Sequence, residues 1–294
     1  MLGNIDIKKA NHSLIPSKIL KLCSISFAKP LYYLFNKIIQ LEEIPKELKI
    51  SKIIPILKPN KPKNIYSSYR PIALQNNIFK LFEKLLMKNF LPFIYLNNLI
   101  PETQYLYKKF VNYESQLIDM LKITTDAFND KNVISVIIIF LDFSNVFNSL
   151  SHDKLFTKLS KIGITDEFIK ILINSFKDRQ EFVSYNNFNS EYYIIKNGIP
   201  QGGISSPILF NIYKSDIGNC IKNSGLFEFS DDSLLLKIIR NTNDCRELQY
   251  DLDNLYEWCV ENELNLNPNK TELINIHTKT QSINYTFRIN NIDI

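Results

Sequence analysis

Apolar positions in the first 130 residues recur at helical spacing. Ile19, Leu22, Ile25 and Phe27 lead into Leu31 to Ile39, and Phe79, Phe82, Leu85, Leu86 and Phe90 repeat every three to four residues. Both stretches predict helices. Between them, Ile53 to Leu57 reads as a short apolar strand, followed by a turn cluster of Pro, Asn and Lys from Lys58 to Asn64. From Val133 the grammar changes. Ile134 to Leu141 is a nearly continuous β-branched and aromatic run, the pattern of a strand buried on both faces, and it stops at Asp142. A helix is predicted from His152, with Leu155, Phe156, Leu159 and Ile162 on one side and Gly163 to end it. Asp166 can cap the next helix, through Phe168, Leu172 and Phe176. Ser205 or Ser206 can cap another, with Pro207 in its first turn and Ile208, Leu209 and Ile212 facing inward. Leu226 to Leu236 forms two apolar arms meeting at Asp231 and Asp232, a hairpin pattern, and Leu248, Leu252, Leu255, Tyr256 and Cys259 mark a final amphipathic helix.

The order of strand, helices, hairpin and helix suits an α+β domain with a small antiparallel sheet, preceded by a helical lobe. The length of 294 residues and 45% hydrophobic content allow one large core or two modest ones. No stretch approaches the roughly 18 apolar residues of a membrane span, and Met1 to Lys9 lack the order of a secretory signal. The expectation is an intracellular protein, in nucleus or cytoplasm, without a membrane partner. Cys23, Cys220, Cys245 and Cys259 form no CxxC pair, and His12, His152 and His277 stand apart from one another, so neither a zinc site nor a disulfide framework is indicated.

Charge adds a polarity. Between Lys46 and Lys109 twelve Lys or Arg face three acids, a balance of +9 that leaves −4 for the rest of a chain whose net charge is +5. A basic lobe joined to a mildly acidic one suits phosphate binding beside divalent metal, although a solvated lysine-rich face would explain the charge alone. Asp142 at a strand end, and Asp231 with Asp232 at a hairpin tip, could together fix two divalent ions. Each by itself is also what ordinary strand ends and turns look like. The segment Gly198-Ile-Pro-Gln-Gly-Gly203 adds glycines that admit close backbone approach and Gln201, which both donates and accepts.

Taken together these residues resemble the reverse transcriptases of non-LTR retrotransposons, the LINE and Jockey-like group. Phe140-Leu-Asp-Phe-Ser-Asn-Val-Phe-Asn148 is similar to their motif A, typically LDFSKAFD. Asn197 to Tyr213 is similar to motif B, and Phe229-Ser-Asp-Asp232 to the [FY]ADD box of motif C. Further matches are Ile15-Pro-Ser-Lys-Ile-Leu-Lys21, Ile54 to Pro59, Ser67-Ser-Tyr-Arg-Pro-Ile72, Trp258-Cys259 and Leu266-Asn-Pro-Asn-Lys-Thr271.

The resemblance implies a right-hand polymerase fold: fingers with an N-terminal extension over 1–130, palm over 131–294 with motifs A to D and the start of motif E, and no thumb. It implies RNA-directed DNA polymerase activity with an RNA template, a DNA primer and dNTPs, using two Mg²⁺ ions for which Mn²⁺ can substitute. Asp142, Asp231 and Asp232 would be the catalytic carboxylates, and with the backbone carbonyl of Phe143 they would be the metal ligands. Lys270 would protonate the leaving pyrophosphate. Lys58 and Arg70 would hold the triphosphate, Gln201 and Gly202 would line the nucleotide and template pocket, and Phe147 would be the steric gate against ribonucleotides.

Some positions depart from the family pattern. Asn148 and Ser151 replace common acids, and Leu106 and Lys108 stand where a GFR triplet has Gly and Arg. Leu106 is expected to strain a backbone that glycine would occupy at positive φ. The thumb and endonuclease segments of a parent element protein would be needed as partners for processive synthesis. An alternative is a catalytically impaired, thumbless remnant acting only as a nucleic-acid-binding module, and a further one is an inert packing protein.

Overall fold

The computed structural model describes residues 2–4, 6, 13, 15–106, 111–277 and 283–294. Its first half contains α1 (Ser17–Leu22), α2 (Ser24–Leu41), β1 (Ile50–Leu57), β2 (Tyr69–Gln75), α3 (Asn77–Leu96), α4 (Tyr113–Ala127), β3 (Ser135–Leu141) and α5 (Val146–Ser149). Then come α6 (His152–Lys161), α7 (Asp166–Phe176), β4 (Arg179–Tyr185), β5 (Phe188–Asn189), β6 (Tyr193–Ile195) and α8 (Ser206–Tyr213). The chain continues through β7 (Gly225–Phe229), β8 (Asp232–Ile239), α9 (Thr242–Glu261), β9 (Glu272–His277), β10 (Arg288–Ile289) and β11 (Ile292–Asp293). This is a mixed helix and sheet protein. Its elements group into two compact units interleaved in sequence, 1–96 with 152–207 and 97–151 with 208–294.

The first unit is built on the sheet order β2-β1-β4-β5, with β6 added to β4. β1 pairs antiparallel with β2 and parallel with β4, Ile53 lying across from Val183. Ile38, Ile44, Leu48, Phe79, Phe82 and Ile171 form one core cluster, and Leu20, Leu31 and Leu81 another. Leu22 and Ile25 are 71% and 91% exposed, and the buried apolar position of α1 is Leu20. α1 ends at Leu22 and α2 starts at Ser24, with Cys23 between them. Gly163 ends α6 at φ 84° as expected. Thr165, and not Asp166, occupies the N-cap of α7, leaving Asp166 in the first turn where the helix dipole favours an acid. Ser205 donates its hydroxyl to Glu83 Oε1 at 2.6 Å, and Ser206 donates to the Pro200 carbonyl at 2.7 Å.

The second unit holds a four-stranded sheet in the order β7-β8-β3-β9, antiparallel throughout. Side chains alternate between its faces. Val136, Ile138, Leu234, Leu236 and Phe227 share one cluster with Met120 and Ala127 of α4, while Ile137, Ile139, Leu235 and Ile239 are buried on the opposite face. Burial on both sides explains the uninterrupted apolar run of β3. α4 and α9 pack against β8, each started by an asparagine capping box at Asn112 and Asn241. β10 and β11 form a tight hairpin whose two loop residues, Asn290 and Asn291, both take positive φ, as such a turn demands. Among the described residues no helix is long and apolar enough to cross a membrane. All four cysteines are free.

Candidate active site

The carboxylates expected to act together lie in the second unit. In the β3–β8 ladder Leu141 pairs with Ser233, and extending that register by one residue sets Asp142 across from Asp232. Antiparallel partners have Cα atoms about 5 Å apart, so a ladder continued by that one pair would bring the Cα atoms of Asp142 and Asp231 to within about 9 Å. Asp142 and Asp232 share the face of Phe140, which is 38% exposed, so that face of the sheet is open at the carboxylate end. β7 and β8 are joined by Ser230 and Asp231 alone, since Phe229 pairs with Asp232, and Ser230 takes φ 58°. That backbone is costly for a residue with a Cβ.

The acids feel one another. Asp232 is held above the usual carboxylate range, first by partial burial, then by the charges of Asp231 and Asp142, with Lys214 pulling the other way. Such a cluster favours a compensating cation. Carboxylates and a backbone carbonyl are also the donor types that hard divalent ions take. Phe143 forms an isolated bridge with Leu266. Its neighbours make the bonds on that side, Ser144 N–H to Asn265 O at 2.8 Å and Asn267 N–H to Asp142 O at 2.9 Å. The alternation of an antiparallel ladder turns Phe143's own carbonyl to the other edge, the β8 side. The donor set therefore fits a divalent ion in chemistry. Among the described residues, though, no three acidic, His or Cys side chains are gathered tightly enough to hold one. Asp142 is instead engaged by Lys270, Nζ to Oδ2 at 3.4 Å. Lys270, expected to protonate the leaving pyrophosphate, thus lies beside Asp142.

Phe147 lies in α5, its ring 5.2 Å from that of Phe210, which is fully buried and backs it rigidly. Asn148 is exposed on the same short helix. Leu106 does not have the positive φ that a glycine there would allow, and its N–H donates to Gln104 Oε1 at 3.0 Å, so the expected strain is absent. Lys108 lies outside the described residues.

The remaining candidates belong to the first unit. Arg70 is exposed on β2, opposite Ile56 of β1. Lys58 follows β1 and spends its ammonium on the Ser67 carbonyl at 2.9 Å, closing the β1–β2 loop. Gln201 is fastened to β2, its carbonyl accepting from Ala73 N–H at 3.0 Å. Gly202 has φ 108°, and a Cβ there would meet the Ala73 carbonyl at 3.3 Å. At Gly203 a Cβ would stand 2.5 Å from Ser206 Oγ. The glycines thus let the loop lie flat against β2 and the start of α8. His152 steadies the loop's entry, Nε2 lying 2.7 Å from the Gly198 carbonyl with the ring stacked on Phe176. Its burial pushes the imidazole below its ordinary value.

A family model described as reverse transcriptase (RNA-dependent DNA polymerase) matches residues 56–286, well over half of the chain. The chain belongs to the reverse transcriptase family. Among curated proteins, this reverse transcriptase domain is 28% identical over 246 residues to a probable RNA-directed DNA polymerase from transposon BS of Drosophila melanogaster, covering 81% of the chain and 27% of that protein. It is 25% identical over 279 residues to the RNA-directed DNA polymerase from mobile element jockey of Drosophila funebris, covering 92% and 30%. The chain thus spans less than a third of the length of the curated relatives it matches. Among solved structures it is similar to apo telomerase of Candida tropicalis truncated from its C-terminal domain, with TM-score 0.55, 15% identity and coverage of 85% and 54%. A second is telomerase of Candida albicans in complex with a telomeric RNA fragment, with TM-score 0.55, 13% identity and coverage of 95% and 48%. At these identities the likeness shows a shared fold. Reverse transcriptases as a family use divalent metal ions.

The motifs did not bring out Lys214, Glu228, Gln104 and Glu83, all buried beside motif residues of this reverse transcriptase. A signal existed for two of them. Lys214 ends an apolar helix and Glu228 interrupts Phe227 and Phe229, and single charges in apolar elements are seldom buried unless paired.

Proposed function

We propose that the chain is the fingers-and-palm part of an RNA-directed DNA polymerase, extending a primer 3′ end with dNTPs on an RNA template within a right-hand polymerase fold. The first unit, with its basic β1–β2 loop, is read as fingers, and the second, with its antiparallel sheet, as palm. The observation that supports this most is the β3–β8 register, whose last pair, Leu141 with Ser233, leaves Asp142 and Asp232 as the next residues on the two neighbouring strands. Asp142, Asp231, Asp232 and the Phe143 carbonyl would hold two Mg²⁺ ions, or Mn²⁺ in their stead, which would stabilise charge on the attacking and leaving oxygens.

The chain's own residues do the rest. Arg70 offers a planar fork to the triphosphate and Lys58 a point charge. Gln201 and Gly202 present backbone and amide to the base pair from a loop pinned on β2. Phe147, backed by Phe210, blocks a 2′ hydroxyl. Lys270 would give a proton to pyrophosphate as the bond between the α-phosphorus and the bridging oxygen breaks, while the primer 3′ hydroxyl loses its proton to solvent water and its oxygen bonds to the α-phosphorus.

Primer extension on an RNA template tests the proposal. dNTP incorporation should disappear in Asp142→Asn and in Asp231→Asn, with duplex binding retained. A parent chain that binds duplex but incorporates nothing with Mg²⁺ or Mn²⁺ would leave the binding-module reading instead.

A further inference from the structure

Two lone charges lie in apolar surroundings of the second unit. Lys214 directly follows α8, and Glu228 lies in β7 between two phenylalanines. Their side chains are each 1% exposed, with Nζ 3.0 Å from Oε1. Buried pairs of this kind cost desolvation and are often no more stabilising than apolar residues of equal volume, so a specific use is to be sought.

The contacts supply one. Lys214 Nζ donates to the Ser230 carbonyl at 3.2 Å and to Ser233 Oγ at 2.7 Å. These two residues bracket Asp231 and Asp232. From the other side Ser230 N–H donates to Gln104 Oε1 at 3.1 Å, and Gln104 Nε2 donates to Asn211 Oδ1 at 3.2 Å. Ser230 is therefore gripped at both its N–H and its carbonyl while holding φ 58°. Left alone, a serine would relax from that backbone. Glu228 is anchored in turn, Oε2 accepting from Thr103 Oγ1 at 2.8 Å. The same ammonium stands 5.2 Å from the ring centre of Phe143 and 5.5 Å from that of Phe210. One cation thus touches the segment after Asp142, the ring behind Phe147 and the acidic turn.

We propose that Lys214, paired with Glu228 and assisted by Gln104, is a positioning residue that clamps the Ser230 turn so that Asp231 and Asp232 can serve with Asp142 as ligands of a divalent cation. The inference rests on the polymerase reading above, and it assigns Lys214 no contact with substrate.

Mn²⁺ binding, measured by electron paramagnetic resonance, tests it without requiring turnover. The parent is compared with Asp231→Asn and with the double variant Lys214→Met, Glu228→Gln, which leaves net charge unchanged and roughly preserves volume. Thermal melting checks that each is folded. A clamp predicts that the folded double variant binds Mn²⁺ about tenfold or more weakly, the scale on which outer partners of ligands act. A pair serving stability alone predicts affinity within about twofold of the parent's, and that result overturns the inference while leaving the polymerase reading intact. Should the double variant not fold, Lys214→Gln with Glu228→Gln keeps a hydrogen-bonded pair too short to reach Ser230, and the same two results decide. A parent whose Mn²⁺ binding is absent, or is untouched by Asp231→Asn, removes the polymerase reading and the inference with it.

Discussion

Replacing Lys214 alone by methionine should be far more damaging than replacing it together with its partner. In the parent, Glu228 Oε1 has no hydrogen-bond partner among the described residues, and its 3.0 Å contact with Lys214 Nζ is ionic without good hydrogen-bond alignment. Removing the ammonium leaves that oxygen charged and uncompensated at 1% exposure, where water cannot screen it. It also takes away the donor to Ser233 Oγ at 2.7 Å and to the Ser230 carbonyl at 3.2 Å. Breaking one side of a buried pair costs about 3–5 kcal/mol, and about 1 kcal/mol of that is expected for each hydrogen bond lost. Adding Glu228→Gln removes the stranded charge, so the double variant should return to within about 1–2 kcal/mol of the parent. The assay is urea denaturation of the parent, both single variants and the double variant at one pH. The cycle should give a coupling of at least about 2 kcal/mol. A loss under about 1 kcal/mol for Lys214→Met, with coupling near zero, would refute the reasoning and mean that Glu228 finds water in solution.

Other consequences follow from single groups. Burial holds the Glu83 carboxyl above the usual range, against the bond from Ser205, so the folded chain keeps that proton to higher pH than the unfolded chain. Its contribution to stability is full below about pH 4.3 and is lost as pH rises through the raised value. Glu83→Gln should therefore flatten the decline of the urea midpoint between mildly acidic and neutral pH, and an unchanged slope would contradict this. Gly203→Ala forces a Cβ to 2.5 Å from Ser206 Oγ and disturbs that hydroxyl's bond to Pro200. A loss of about 1–3 kcal/mol in denaturation is expected. Phe147→Ala should raise incorporation of ribonucleotides relative to deoxynucleotides by about tenfold or more in single-nucleotide extension, since about 1.4 kcal/mol of discrimination corresponds to that factor.

Much of the candidate site could be read from the chain because its signals are local. A β-branched run that ends on an acid identified β3 and Asp142, and two apolar arms around a pair of acids identified β7 and β8. What escaped was non-local. The parallel pairing of β1 with β4 joins segments more than a hundred residues apart, so nothing in the periodicity of either predicts it. β9 is an edge strand with Glu272, Asn275 and His277 exposed, and it lacks the apolar run that revealed β3. Helical spacing from Ile19 to Phe27 did not reveal that the run is divided between α1 and α2 at Cys23. The strain expected at Leu106 was inferred from what glycine permits, whereas the local backbone does not use that freedom.

The convergence of three acidic groups on divalent metal is tested most directly by anomalous diffraction from crystals of the chain grown with Mn²⁺, primer, RNA template and a non-reactive dNTP. The account predicts two Mn²⁺ peaks about 3.5–4 Å apart, bonded to Asp142, Asp231, Asp232 and the Phe143 carbonyl, with Lys270 moved off Asp142. Peaks elsewhere, with the 3.4 Å Lys270–Asp142 pair intact, would contradict it.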